Sequence, residues 1–145
     1  MLNKNLAGAL IKFHDSGAAA KKSADNPFFR SKYASLEEVI ETVRAEAGKV
    51  GLTFTQLVDF DDQYIFVTTM IMHESGEYLT SRTPVLVKDA TDPQKMGSGI
   101  TYAKRYGLQS AFGLPSEDDD GNQASLPSPK VSNHKKTTSP EKETW

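Results

Sequence analysis

Three runs rich in Thr, Val, Ile and aromatic residues, 52–58, 63–73 and 77–87, follow one another with only an Asp-rich link and a Glu-Ser-Gly link between them. Links that short cannot carry a parallel crossover, so the runs predict an antiparallel meander. The segments on either side read as helices. Leu2, Leu6, Ala9, Leu10 and Phe13 recur at helical spacing, and this first helix should end near Ser16 and Gly17. Residues 18–34 read as a loop, punctuated by Asn26-Pro27, in which Lys21, Lys22, Arg30 and Lys32 outnumber Asp25. A second helix begins at Ser35, whose hydroxyl can cap while Glu38 reaches back, and Leu36, Val39, Ile40, Val43, Ala47 and Val50 form its apolar stripe. Gly51 is its stop. Asp92 as cap and Pro93 in the first turn announce a last helix, with Met96, Ile100, Ala103 and Ser110 or Ala111 down one face. The predicted fold class is α+β: N-terminal helices, then a three-stranded antiparallel β-meander packed with a C-terminal helix (a β-β-β-α core), then a disordered tail.

The tail is predicted from a change in composition at Ser116. Four consecutive acids, Glu117 to Asp120, precede a stretch of Ser, Pro, Lys and Thr whose only aliphatics are Leu126 and Val131, too few to bury a core. Residues 1–116 are therefore expected to form the domain and 117–145 the tail. Of the 17 basic and 19 acidic residues, 13 and 13 fall in the first part and 4 and 6 in the second. A neutral domain does not coat nucleic acid indiscriminately, so any site for it must be local. The absence of cysteine excludes disulfides, thiolate nucleophiles and cysteine-based zinc sites, and fits a reducing cytoplasm. No run of about 18 apolar residues occurs, so a soluble, unsecreted chain with no membrane partner is expected.

Catalytic motifs are missing where they would have to stand. Gly97-Ser98-Gly99 is followed by Ile100 and Thr101 rather than by the lysine of a phosphate loop, and Tyr102 replaces the last glycine of a dinucleotide fingerprint. His14, His73 and His134 lie on different segments without helical pairing, so neither a metal site nor a nucleophile-base pair is expected, and His73 with Glu74 marks a strand end. The Asp118-Asp119-Asp120-Gly121-Asn122 run offers hard oxygen ligands. Aligning its glycine with that of a calcium loop, however, puts Ser116 at the first ligand position and Pro127 where the bidentate Glu belongs. Solvated or partner-facing charge is the plainer reading. The expectation is a protein that is not an enzyme and uses no cofactor and no metal.

Residues 94–112 contain Lys95, Lys104 and Arg105 and no acid, a helix of net +3 in a neutral domain. Tyr102 and Tyr106 are neighbours on it, as are Thr101 and Arg105, so a basic stripe is expected beside an aromatic one. Bases stack on aromatic faces and phosphates pair with Lys and Arg, which suits single-stranded nucleic acid. On the other reading, the tyrosines pack under the sheet and the cations keep the helix soluble. Gly97 and Gly99 suggest close approach by another backbone. The loop Asn26-Pro27-Phe28-Phe29-Arg30-Ser31-Lys32-Tyr33 repeats the mixture of cations and aromatics, although at least one of its rings closes the core.

At these residues the chain resembles the essential recombination function (ERF) family of phage-type single-strand annealing proteins. "NPFFRSKYASL" from Asn26, "HESGEYLTS" from His73 and above all "DPQKMGSGITYAKRYGLQSAFGL" from Asp92, followed by "EDDDGN", carry the resemblance, in order and at the family's spacing. It implies single-stranded DNA binding, assembly of copies into a ring or filament, and ATP-independent annealing of complementary strands in recombination, inside a bacterial host. Carried over by position, Arg30, Lys32, Tyr33, Lys95, Tyr102, Lys104, Arg105 and Tyr106 become candidates for DNA contact or for shaping its groove. The alternatives are a metal-dependent DNA-processing enzyme using Asp118 to Asp120, or an interaction protein with no DNA site. If Lys104 and Arg105 lie on the basic stripe, replacing both with Glu should weaken strand binding and leave folding intact.

Trp145, the only tryptophan, ends a tail otherwise poor in apolar residues, after Glu141 and Glu143. Bacterial single-strand-binding proteins end in an acidic segment with a terminal aromatic, and this ending is distantly similar, with Lys142 interrupting the acids. On one reading Trp145 and its carboxylate anchor a host or phage recombination or replication protein; on the other, plainer one, Trp145 is an incidental terminus. Truncation after Ser139 should leave annealing by the purified protein nearly intact and lower recombination in cells. Equal recombination by truncated and full-length chains would remove the partner.

Overall fold

In a computed structural model, the structure describes residues 3–25 and 32–115. Helix α1 (Lys4–Asp15) leads to a two-residue strand β1 (Ala24–Asp25), its partner β2 (Lys32–Tyr33) and helix α2 (Leu36–Ala47). Strands β3 (Leu52–Phe60), β4 (Ile65–His73) and β5 (Tyr78–Pro84) follow, then helix α3 (Pro93–Phe112). The three longer strands form one antiparallel sheet in the order β3-β4-β5, with Leu57 opposite Thr68 and Thr68 opposite Arg82. This is the expected α+β arrangement, with β4 ending at His73. The expected tail, with Asp118 to Asp120 and Trp145, lies outside the described residues, as does Arg30.

Local chemistry sets the element ends. Ser35 Oγ accepts from the Glu38 amide at 3.2 Å, and the Ser35 hydroxyl lies 3.3 Å from Glu38 Oε1, so the expected cap of α2 is present. The Ser23 hydroxyl also donates to Glu38 Oε1 and ties the preceding segment to this helix start. That bond, more than any other contact, holds the Glu38 carboxyl below its ordinary value, against an opposing desolvation. After a short 3₁₀ turn at Gly48–Val50 the chain reverses at Gly51, whose φ of 77° lies in the left-handed region. Asp92 Oδ1 accepts from the amides of Gln94 and Lys95 at 2.9 and 3.3 Å, with Pro93 opening α3.

On β4 the side chains alternate: Val67, Thr69 and Ile71 are buried beneath the helices, whereas Thr68, Met70 and Met72 on the other face are half-buried. Leu6, Ala9 and Phe13 of α1, Val39 and Val43 of α2, and Leu108 and Phe112 of α3 meet over Leu52 and Ile71 in the main core. The Phe13 and Phe112 rings pack at 5.0 Å between centroids. His14 Nε2 donates to the Phe112 carbonyl at 2.9 Å and so closes the C-terminus of α3. Val67, Val85 and Ala103 form a second, smaller cluster against Met96 and Ile100.

Two details depart from the sequence reading. Residues 18–34 are not all loop, because Ala24 pairs with Tyr33 and Asp25 with Lys32. Helix α3 keeps the expected Met96, Ile100, Ala103 and Ala111 against the two clusters, but it is buried more widely than that one stripe. Ser110 is exposed, and the helix is buried on one side by Gly99, Ala103 and Gly107 and on another by Leu108 and Phe112. It is held between the sheet and the N-terminal helices.

The small residues set how closely α3 lies on the sheet. A Cβ on Gly99 would stand 2.5 Å from Val87 Cγ1, and one on Gly107 would stand 2.8 Å from Thr83 Oγ1 and 3.0 Å from Thr69 Oγ1. A Cβ on Gly97 would meet nothing within 4 Å. Gly99→Val should therefore cost about 1–3 kcal/mol through overpacking, whereas Gly97→Ala should stabilise by up to about 1 kcal/mol through helix propensity. Urea unfolding of the two variants checks the contrast.

Candidate nucleic-acid interface

With the Gly99, Ala103 and Gly107 side of α3 pressed on the sheet, the helix carries Tyr102 and Tyr106 one turn apart at its margin. Their rings stack at 6.3 Å between centroids and 14° between planes, and Tyr102 is 56% exposed. Arg105 lies among them. Its Cζ is 4.6 Å from the ring centroid of Tyr106, 5.2 Å from that of Tyr102 and 4.6 Å from that of Tyr33, which comes from β2. The structure thus brings Tyr33, Tyr102, Arg105 and Tyr106 into one group, joining the two segments that mix cations with aromatics.

Arg105 does not belong to an exposed basic stripe. It is 4% exposed, and a guanidinium so placed acts through the faces of the rings that surround it. Lys104 is not part of the group either. Two residues past Tyr102, it leaves the helix about 200° round the axis, and its backbone carbonyl accepts from Gln56 Nε2 at 2.9 Å. The same Gln56 amide donates to the buried Thr69 hydroxyl at 3.0 Å, so this side of α3 is fastened to β3 and β4. Lys32 is exposed beside Tyr33 and pairs across the short ladder with Asp25. Adjacent strand residues point to opposite faces, which separates its ammonium from the Tyr33 ring.

Lys95, exposed in the first turn of α3, does share a surface with Tyr102. A groove of about 500 Å³ runs between α3 and the segment after β5, and Lys88, Lys95, Ser98 and Tyr102 line it together with Leu86 and the helix cap Asp92, whose Oδ1 is engaged by the Gln94 and Lys95 amides. Lys88 was not among the sequence candidates. It follows the third run directly, and only the position of that run against α3 gives it meaning. Next to it, the Thr91 hydroxyl and amide hold the Asp89 carboxylate below its ordinary value, so this acid stays ionised and turned toward its own loop. On the other side of Ser98 and Tyr102 lies a second cleft of about 390 Å³, bounded by Tyr33, Ser35, Leu36 and Arg105. Arg82 is remote from both, since its guanidinium lies 3.6 Å over the Phe66 ring and 3.9 Å from Asp61.

Gly99 is the close-approach glycine of this region, and what approaches it is the protein's own segment after β5, through Val85 and Val87. Among the described residues no group of three His, Cys, Asp or Glu side chains is placed to hold a metal ion, and no helix is long and apolar enough to cross a membrane. What the site can do chemically is offer aromatic faces, donors and a line of cations.

The fold and the site together define an α+β domain in which one helix closes a three-stranded meander and carries stacked tyrosines about a guanidinium. The ERF superfamily model matches residues 8–145, and the chain belongs to that family. At the level of the family it is a phage-type recombination protein. The match spans both the described domain and the segment expected to be its tail. Neither the curated proteins nor the solved structures contain a match to this chain.

The geometry separates two residues that the sequence groups together. Lys104→Glu should shift the melting temperature little, as surface changes usually stay within about 0.5 kcal/mol. Arg105→Glu places a carboxylate against three ring faces that favour a cation, and should cost at least the roughly 2 kcal/mol of a desolvated cation–π contact. Thermal unfolding followed by circular dichroism measures both. Equal stability of the two variants would show that the tyrosines do not depend on Arg105.

Proposed function

We propose that this chain binds single-stranded DNA and anneals complementary strands without nucleotide hydrolysis. The observation that carries the reading is the Tyr33, Tyr102 and Tyr106 group about Arg105, lying beside the groove that holds Lys88 and Lys95. Aromatic platforms flanked by cations hold a single strand irrespective of sequence, because every base has a π-face and every nucleotide a phosphate. Membership of the ERF superfamily supports recombination as the setting.

In this mechanism the lysines hold the backbone and relieve phosphate repulsion, so that base edges remain free to test a second strand. Pairing energy supplies the specificity. No proton, nucleophile or hydride has to move, so the protein acts as a scaffold rather than an enzyme and requires no cofactor. One domain of this size holds few nucleotides, and a useful length of strand needs an array of copies. Strands β3 and β5 are the two edges of the sheet, and a head-to-tail contact between copies closes into a ring or continues as a filament. The place of action is the cytoplasm of a bacterial host, where a recombination or replication protein could engage the tail.

Two complementary oligonucleotides, one carrying a donor dye and one an acceptor, should anneal faster with the protein at moderate salt, and equally with and without ATP. Lys88→Glu and Lys95→Glu should each reduce the log-log salt slope of strand binding by about 0.7, the value for one lost phosphate contact on a single strand. Strict ATP dependence, or no acceleration at any protein concentration, would end the annealing reading. Unchanged slopes would move the backbone path away from this groove.

A further inference from the structure

The cleft of about 390 Å³ on the β2 side of Tyr102 is of a size at which small-molecule sites begin. Tyr33 and Leu36 form one wall, Gly97, Thr101 and Tyr102 the other, and Arg105 its buried end. It differs from the neighbouring lysine groove in kind, since the one cation among its described lining residues is sunk among phenol rings while its walls are planar and partly apolar. From this contrast we infer that the cleft receives one unstacked nucleobase of a bound strand, so that each copy of the protein withdraws a base from the stack. The inference rests on the single-strand reading above and specifies where one base goes.

Three properties point to a base rather than a phosphate. The exposed face of Tyr102 is a stacking surface, and a base laid on it covers apolar area that a phosphate would leave wet. The Arg105 guanidinium is packed against ring faces at 4.6 Å, so the buried end of the cleft is an aromatic wall that carries positive charge, a setting that suits the electron-rich carbonyl and ring-nitrogen edge of a base. The Ser98 hydroxyl is exposed at the rim, and the Thr101 hydroxyl, which donates to the Gly97 carbonyl at 3.1 Å, keeps lone pairs for a donor on the base. Backbone phosphates on either side of that base then fall toward Lys95 and Lys88, which share Ser98 and Tyr102 with the cleft through the adjoining groove.

The open space at Gly97 permits a test that leaves the tyrosine group untouched. A leucine there meets no neighbour at its Cβ and fills the cleft, while the change from glycine favours the helix. The full chain is mixed with oligo(dT) carrying 5-iododeoxyuridine, irradiated, and the crosslinked peptide identified by mass spectrometry, with strand affinity followed in parallel by anisotropy. Crosslinks are expected on Tyr33 or Tyr102, and Gly97→Leu should lower their yield by about fivefold or more, the lower bound for losing one base-stacking contact. Tyr102→Leu serves the same purpose should Gly97→Leu fail to fold. Crosslinks confined to other peptides, or a yield unchanged in the variant, overturn the inference while strand binding stands. No strand binding by the native chain overturns the annealing reading beneath it, and this inference falls with it. Thymidine monophosphate is the second arm: it should compete only at concentrations far above those of the strand. A cleft that takes the mononucleotide while the strand crosslinks elsewhere belongs to free nucleotides, which also overturns the inference.

Discussion

The close seat of α3 on the sheet is the constraint from which the rest follows. Gly99, Ala103 and Gly107 recur every four residues, and the side chains of Thr69 and Thr83 on the sheet and of Val85 and Val87 just after it occupy the space that larger residues would fill. A helix held this low cannot roll, because rotation would drive Ile100 or Lys104 into the strands. Its C-terminal half is then fixed a second time, by Leu108 and Phe112 in the main core and by His14 on the Phe112 carbonyl. Two independent contacts on one rigid rod determine its azimuth. The azimuth determines that Tyr102 and Tyr106 stand at the margin and that Arg105 faces β2.

Arg105 is the residue that organises this arrangement. Burying a cation is unfavourable unless its surroundings replace water, and the three ring faces contribute to that. A lysine would be a poorer occupant, since its compact ammonium is more strongly hydrated and cannot stack as a plane. The guanidinium holds β2 against α3 across a short ladder that has little apolar area of its own. It therefore belongs to the architecture of the site, whereas Lys88 and Lys95 stand exposed in the groove.

The parts of this molecule that were legible in the sequence are those with local causes. Ser35 with Glu38, Asp92 with Pro93, and Gly51 each act within a turn of the chain, so they marked the helix ends before any tertiary contact was known. The meander was legible because short links leave no other topology. The face of α3 was legible only in part: Met96, Ile100, Ala103 and Ala111 mark it, but Gly99 and Gly107 carry no hydrophobic signal, and a helix buried on two sides shows no single stripe. The ladder at Ala24 and Asp25 has too few residues for alternation to show. Spacing and composition place Arg105 on an exposed stripe, because cations almost always are exposed. The three rings about it come from one neighbouring turn, one adjacent residue and a strand far away in the sequence, and only the first two can be inferred from spacing.

A neutral domain also limits how a strand can be held. On the proposed reading Lys88 and Lys95 are the cations lining the groove, so one copy releases few counterions, and two contacts give a salt slope of only about −1.4. Such binding is weak for a single domain. Copies arrayed along one strand convert each further contact into an intramolecular event, and their affinities multiply without any new chemistry. Weak, sequence-independent holding by each copy has a further consequence for annealing, because a strand gripped tightly at every phosphate could not slide or exchange its partner while register is being sought. The low charge of the domain and the stacking of its tyrosines therefore belong together: stacking holds bases without fixing which base, and the small number of cations keeps the backbone mobile enough to search.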